Sequence, residues 1–229
     1  MPGYRTKQER ISIAGVDDLV IRSLLDRNQF ADRDGAAERL GISSAAWPLF
    51  GLLWPSGAML AARLGARPVT AGERILEIGC GLALASLVGH RRGADVTASD
   101  RHPLTALFLA ENLRHNGLLP MKYLHGDWDA SGDAADAAAS GGFDLIVGSD
   151  LLYERDASGA LAGFVSRHAK ASCEVWIVDP DRSNRPAFNR CMAADGFARC
   201  EERLDVVATA TDAAYKGRLL VYRRKLAPH

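Results

Sequence analysis

From Ala71 onward, short apolar runs alternate with longer stretches whose apolar residues recur at helical spacing. The pattern predicts strands at Arg74–Ile78, Asp95–Ser99, Met121–His125, Phe143–Gly148 and Glu174–Val178. It predicts helices at Leu82–His90, Leu104–Asn116, Ala157–Lys170 and Arg185–Ala194, the last ended by Gly196. Residues 129–142, rich in Gly, Ala, Ser and Asp, read as a loop with a weak helical turn. Two late strands, Arg203–Thr209 and Arg218–Arg223, follow with no full helix between them, which favours an antiparallel pair. Strands alternating with helices imply an α/β domain. The expectation is a Rossmann-like seven-stranded mostly parallel sheet with an antiparallel last strand and helices on both faces.

Ahead of this region the pattern is weaker. Residues 1–15 read as a loose arm or an edge strand. Val16 to Asn28 places Leu19, Val20, Ser23 and Leu24 at helical spacing, with Asp17 and Asp18 in the first turn. Phe30 to Leu40 reads as a short charged helix stopped by Gly41. The expected organisation is an N-terminal helical extension over residues 1–44 and one domain over residues 45–229. Between Ala45 and Gly57 stand two Trp-Pro pairs, Trp47-Pro48 and Trp54-Pro55, each tryptophan pushed toward an extended backbone by its proline. Two readings stay open: a hydrophobic connector packed on the core, or a lid with an aromatic face over a ligand. Ser56 or Gly57 is the expected cap of a helix from Ala58 to Leu64.

Composition narrows the function. The chain has 229 residues and 28 Lys+Arg against 28 Asp+Glu, so no basic surface points to a polyanion and a nucleic-acid partner is not expected. No apolar run has the length of a membrane span, and the polar first residues lack the apolar core of a signal peptide. The expected compartment is the cytoplasm. Cys80, Cys173, Cys191 and Cys200 form no Cys-x-x-Cys pair, so they are expected as free thiols, with no structural metal.

The chemistry concentrates between Arg74 and Asp100. A strand, a turn with Gly79 and Gly81, a helix and a second strand ending in Asp100 form the opening of a nucleotide-binding unit. A dinucleotide turn wants Gly or Ala where Leu84 stands, and a phosphate loop wants Gly-Lys-Ser/Thr, which is missing. What remains is acid-x-Gly-x-Gly, as Glu77-Ile78-Gly79-Cys80-Gly81. Glycine lets a ligand approach the backbone closely. An acid ending the first strand accepts from an ammonium group, and an acid about 20 residues later reaches ribose hydroxyls.

This arrangement resembles motif I of the class I methyltransferases, which bind S-adenosylmethionine and release S-adenosylhomocysteine. Asp127-Trp128 after the third strand and Ser149-Asp150-Leu151-Leu152-Tyr153 after the fourth add to the likeness. Asp150 to Tyr153 resembles the Asp-x-x-Tyr motif of the seven-β-strand protein lysine methyltransferases, methyltransferase family 16. Leu53-Trp54-Pro55-Ser56-Gly57 is similar to that family's tryptophan segment. Trp54-Pro55-Ser56-Gly57 and Asp179-Pro180-Asp181-Arg182 lean toward the branch that methylates the electron-transfer flavoprotein β subunit. Residues 1–44 match nothing in the family.

The resemblance implies roles. Glu77, Gly79, Cys80, Gly81 and Asp100 would hold the methionyl and ribose parts of the cofactor, with Arg101 in the cofactor set. Asp127, Trp128 and Ser149 would line the adenine and sulfonium region, and Trp54 would close over it. Asp150 and Tyr153 would carry catalysis at the acceptor channel. Ala83 departs from the family pattern, where a third glycine is common. Read from the residues alone, Trp128 could be a core anchor, Tyr153 a core tyrosine and Asp150 a helix N-cap. The expected activity is N-methylation of a protein lysine by in-line displacement, with a small-molecule N- or O-methyltransferase as the alternative. A catalytically silent relative of the same fold would not need Glu77, Gly79, Gly81, Asp100 and Asp150 together. The Asn/Asp-Pro-Pro-Tyr/Phe motif of amino-methylating nucleic-acid enzymes is absent after the fourth strand.

Overall fold

The computed structural model describes residues 3–128, 141–153, 159–208 and 214–225. Most of the expected loop 129–142, the predicted start of the helix at Ala157 and the end of the strand expected to reach Thr209 lie outside these residues. Strands β3 (Arg74–Ile78), β4 (Asp95–Asp100), β5 (Lys122–His125), β6 (Phe143–Ser149), β7 (Ala169–Asp179), β8 (Ala198–Arg203) and β9 (Arg218–Arg224) form one sheet, in the order β5-β4-β3-β6-β7-β9-β8. β3, β4, β5, β6 and β7 pair in parallel, and β9 runs antiparallel to both β7 and β8. The expected sheet and its antiparallel last strand are present. The strand expected at Arg203–Thr209 instead ends at Arg203, and Val206 makes only an isolated bridge to Tyr215.

Alternation along each strand divides the apolar residues between two cores. Ile75, Leu145, Val147, Trp176, Val178, Leu219 and Val221 face one side. There they meet helices α2 (Pro55–Ala66), α3 (Leu84–Arg91) and α4 (Thr105–His115). Leu76, Ile146, Val175, Ile177, Leu220 and Tyr222 face the other, against α5 (Ala160–His168) and α6 (Arg185–Ala194). Central strands covered on both faces account for the near-continuous apolar runs in the sequence.

The N-terminal helix expected over Val16–Asn28 is not there. The segment is a strand, β2 (Val16–Leu24), paired antiparallel with β1 (Thr6–Ile13) across an Ala14-Gly15 turn. The apolar set of β2 fits two periods, and period two prevails because Leu19, Ile21 and Ser23 all turn inward. The only helix before residue 44 among the described residues is α1 (Ala36–Arg39). The helix α2 begins at Pro55, with Trp54 as N-cap, so neither Ser56 nor Gly57 caps it. Ser56 instead hydrogen-bonds Tyr215 at 2.9 Å.

The hairpin docks on α4 through two asparagines one helical turn apart. Asn116 accepts from Val20 N–H at 2.9 Å and donates to Val20 C=O at 2.8 Å. Asn112 accepts from Arg22 N–H at 2.8 Å and donates to Arg22 C=O at 3.3 Å. Two side-chain amides thus stand in for a neighbouring strand along the outer edge of β2. Arg22 also pairs with Glu111 of α4. Among the described residues no helix is long and apolar enough to cross a membrane, and no group of His, Cys, Asp and Glu could hold a metal ion.

Replacing Asn112 by Ala strips the Arg22 backbone of both partners. We expect a loss of about 2 kcal/mol of unfolding free energy. It would be read from urea denaturation, and an unchanged midpoint would show that the hairpin is not held this way.

Candidate active site

The chain order reverses between β3 and β6, and a crevice opens beyond the carboxyl ends of the strands at that point. A cavity of about 570 Å3 lies there. Its wall contains Trp54, Glu77, Gly79, Cys80, Gly81, Asp100, Arg101, Trp128, Ser149, Asp150 and Tyr153. Eleven of the twelve residues singled out from the sequence are therefore brought together. The twelfth, Asp127, follows β5 beside Trp128 but does not contribute to the wall.

The deep end is built by the turn after β3. Glu77 is 3% exposed and accepts from Ser86 N–H, in the first turn of α3, at 2.7 Å. Burial pushes its carboxyl up from 4.5 to about 7, against the pull of the Ser86 hydrogen bond. Asp100 ends β4. One of its oxygens accepts from Gly81 N–H at 2.9 Å and the other from His102 N–H at 2.8 Å. Burial raises this carboxyl also. Among the described residues neither acid forms an ion pair; both accept from backbone N–H groups, and Arg101 and His125 act on Asp100 only at longer range.

The glycines are fixed by space and by backbone angle. Gly81 has φ +51, and a Cβ there would come 2.9 Å from the Phe50 carbonyl oxygen. Gly79 has φ +55, and a Cβ would run into Leu151. Ala83, at the N-cap of α3, also has positive φ, at +58. That conformation explains why glycine suits the position, and alanine holds it at a cost of about 1–2 kcal/mol. Burial between the acids raises the Cys80 thiol as well.

The two Trp-Pro pairs separate the two readings left open. Trp47 is buried and meets Phe50 edge-on, so it anchors the 3-10 turn Trp47–Gly51 to the core. Phe50 stacks on His102, whose ring is desolvated and pushed down to about 3. Trp54 is 38% exposed, lies on the cavity wall and donates its indole N–H to Leu49 C=O at 2.9 Å. Trp128 is half-buried, reaching the wall from one side and the α5–α6 core from the other.

At the other end stand Asp150 and Tyr153. Tyr153 is 43% exposed, so it is not a core residue. Asp150 has φ +58 and donates its N–H to Val178 C=O at 3.0 Å. Its Oδ1 receives Arg182 Nη2 at 2.7 Å. Arg182, Asn184 and Phe188 line this end and had no role in the sequence reading. The first of them stands in the Asp179-Pro180-Asp181-Arg182 stretch whose likeness was noted, so a signal existed. Asn184 and Phe188 carried none.

Taken chemically, the cavity offers acceptors with no ion pair among the described residues at its deep end and a charge-compensated acid at its mouth. The first suits a ligand rich in donors and positive charge, the second a group that must be oriented.

Comparison with known proteins bears on what that ligand is. A family model described as "Lysine methyltransferase" matches residues 49–188. An electron transfer flavoprotein beta subunit lysine methyltransferase from Danio rerio is 28% identical over 139 residues, covering 59% of this chain and 51% of that protein. A protein N-lysine methyltransferase METTL21A from Danio rerio is 29% identical over 128 residues, 54% of each chain. The chain thus spans about half the length of the curated relatives it matches. Among solved structures, a T. thermophilus 16S rRNA N2 G1207 methyltransferase in complex with AdoMet and guanosine superposes with a TM-score of 0.61. It is 21% identical and covers 96% of this chain and 51% of its own. Likeness at that level establishes the fold.

The raised carboxyl of Glu77 has a measurable consequence. Its folded value lies above its unfolded one, so its contribution to stability is full below about 4.5 and lost as pH rises through about 7. Glu77→Gln removes this loss. The variant is expected to be more stable than wild type near pH 8 by about 3 kcal/mol, and equal to it near pH 4.5. Thermal melts of both proteins at the two pH values measure this, and parallel pH profiles would contradict it.

Proposed function

This chain belongs to the lysine methyltransferase family, and from that premise we propose that it transfers a methyl group from S-adenosylmethionine to a protein lysine side chain. One observation carries the reading. Glu77 is buried and Asp100 half-buried near the ends of adjacent strands, and neither forms an ion pair among the described residues. A ligand bearing an ammonium, a sulfonium and a ribose diol, and no phosphate, answers that floor. A phosphate-bearing ligand would be repelled by it. A cavity of about 570 Å3 also falls in the range of cofactor pockets, roughly 300–1,000 Å3.

On this reading Glu77 accepts from the ammonium group and Asp100 from the ribose hydroxyls. Each Asp100 oxygen keeps a lone pair beyond its backbone bond. Gly79 and Gly81 give room for close backbone approach. Trp128, Trp54 and Arg101 close the sides. When bound, adenosylmethionine supplies a methyl group already activated on sulfonium. The protein's part is alignment and exclusion of water. A lysine amine, with a reference pKa near 10.4, must arrive neutral. Leu152, Tyr153 and Phe188 give the mouth an apolar lining, which favours the neutral form. Asp150 orients the amine by hydrogen bonding, and Tyr153 walls the channel. Asp127, off the cavity wall, is assigned to the adenine end through its neighbour Trp128. The four thiols, all free, support a reducing compartment such as the cytoplasm.

Calorimetric titration of adenosylmethionine is expected to show binding to wild type and its loss in Asp100→Ala. With labelled cofactor and cell lysate, wild type should place label on lysine in a protein band. Asp150→Asn should bind cofactor normally but transfer at least about 10-fold more slowly. Absence of binding to wild type would overturn the reading. Label in a solvent-extractable product would replace the protein acceptor by a small one.

A further inference from the structure

We propose that Arg182 is a positioning residue for methyl transfer, anchored on buried Asp179 and holding the carboxylate of Asp150 at the acceptor end of the cavity. The assignment rests on the function proposed above. The backbone of Asp150 is already fixed, by its left-handed conformation and by its N–H bond to Val178. What remains free is the rotation of its side chain. Arg182 removes that freedom through the 2.7 Å contact of Nη2 with Oδ1.

Arg182 is itself held at its other end. Its backbone N–H donates to Asp179 Oδ1 at 2.7 Å, and its Nη1 lies 3.6 Å from Asp179 Oδ2. Asp179 is fully buried at the end of β7, so the guanidinium joins two strand ends that the chain brings together from distant positions. Arg185 reaches the same carboxylate at 3.6 Å and also pairs with Asp181 at 3.3 Å.

The hydrogen-bond pattern distinguishes positioning from simple cross-linking. Asp150 Oδ2 is buried with no hydrogen-bond partner among the described residues, while Arg182 Nη1 and Asp179 Oδ2 meet each other only at ion-pair distance, 3.6 Å. A pair kept for stability alone would pair its buried atoms, since an unmet one costs about 1–3 kcal/mol. Here one oxygen of Asp150, a cavity-wall residue, is bound by the guanidinium, and the second, screened from solvent, is left without a partner among the described residues. The guanidinium also cancels the charge of Asp150. An uncompensated carboxylate would hold a lysine as its unreactive ammonium, whereas a neutralised one does not. Among the described residues the charged and titratable groups facing the trio are Arg185 and Asp181, Tyr222 of β9, which feels Asp179, and Tyr215, which feels Asp150 and Asp179 and bonds Ser56 of α2.

The experiment compares wild type, Arg182→Gln and Arg182→Lys in the labelled-cofactor assay across pH, with cofactor affinity measured by calorimetry and folding by melting. Arg182→Gln is expected to bind adenosylmethionine as wild type does. Its transfer rate at saturating cofactor should fall about 10²-fold. The rising limb of its pH profile should move up by about one unit, because the cation that disfavours the ammonium is gone. Arg182→Lys keeps the charge but not the two-pronged guanidinium. It should restore the profile while leaving the rate below wild type, and it carries the test if the glutamine variant melts early. Wild-type rate and profile in Arg182→Gln overturn the proposal and leave the methyltransferase reading standing. Loss of cofactor affinity in proportion to rate also overturns it, by making Arg182 part of the cofactor site. Failure of wild type to bind cofactor or transfer label overturns the reading and the proposal together.

Discussion

Two carboxylates drawn away from water, with no ion pair among the described residues, are the constraint around which this molecule is arranged. Desolvating Glu77 and Asp100 is unfavourable, and the fold meets the cost chiefly with backbone N–H groups. Ser86 offers its N–H from the first turn of α3, where such groups lack helical partners. Gly81 offers its own because its positive φ turns the peptide toward Asp100, and Phe50 closes the far side of that turn. The arrangement is satisfied in hydrogen bonds and unsatisfied in charge. Ligand affinity and fold stability are thereby linked, since a cationic donor on the cavity floor relieves what burial imposes.

The two ends of the cavity follow opposite electrostatic rules. The deep end leaves its acids without an ion pair among the described residues, and the mouth pairs its acid with arginine. The pairing extends outward: Asp181 bonds Arg218 and Arg203, which tie the β7–α6 connection to β9 and β8. Burial opposes the ionisation of Asp181, and the Arg218, Arg185 and Arg203 guanidiniums still hold its carboxyl below the usual range. The antiparallel β8–β9 pair is thereby braced against the loop that carries Arg182.

Much of this was legible in the sequence where one short-range rule dominated. The parallel strands are covered on both faces and read as apolar runs, and the glycine turn with an acid at each strand end read as a site. The N-terminal strand β2 did not, because Leu19, Val20, Ser23 and Leu24 satisfy a helical period while Leu19, Ile21 and Ser23 satisfy a strand period. The deciding partners, Asn112 and Asn116, lie about ninety residues away. Trp47 and Trp54 share a local motif yet divide into core anchor and cavity wall, a split set by what each meets in space. Arg182 stood in a recognised stretch, but its contact with Asp150 comes from two strand ends that only the sheet order brings together.

The latch between β2 and α4 also shapes the way the chain comes to be. The hairpin leaves the ribosome before α4, with its edge complete only when Asn112 and Asn116 arrive, at sequence separations of 90 and 96 residues. At about 5–20 residues per second, that edge stays open for several seconds of synthesis. A nascent hairpin in that interval is a template for pairing with another chain. The exposed charged residues of β1, Lys7 and Arg10, act in that window as much as in the finished protein.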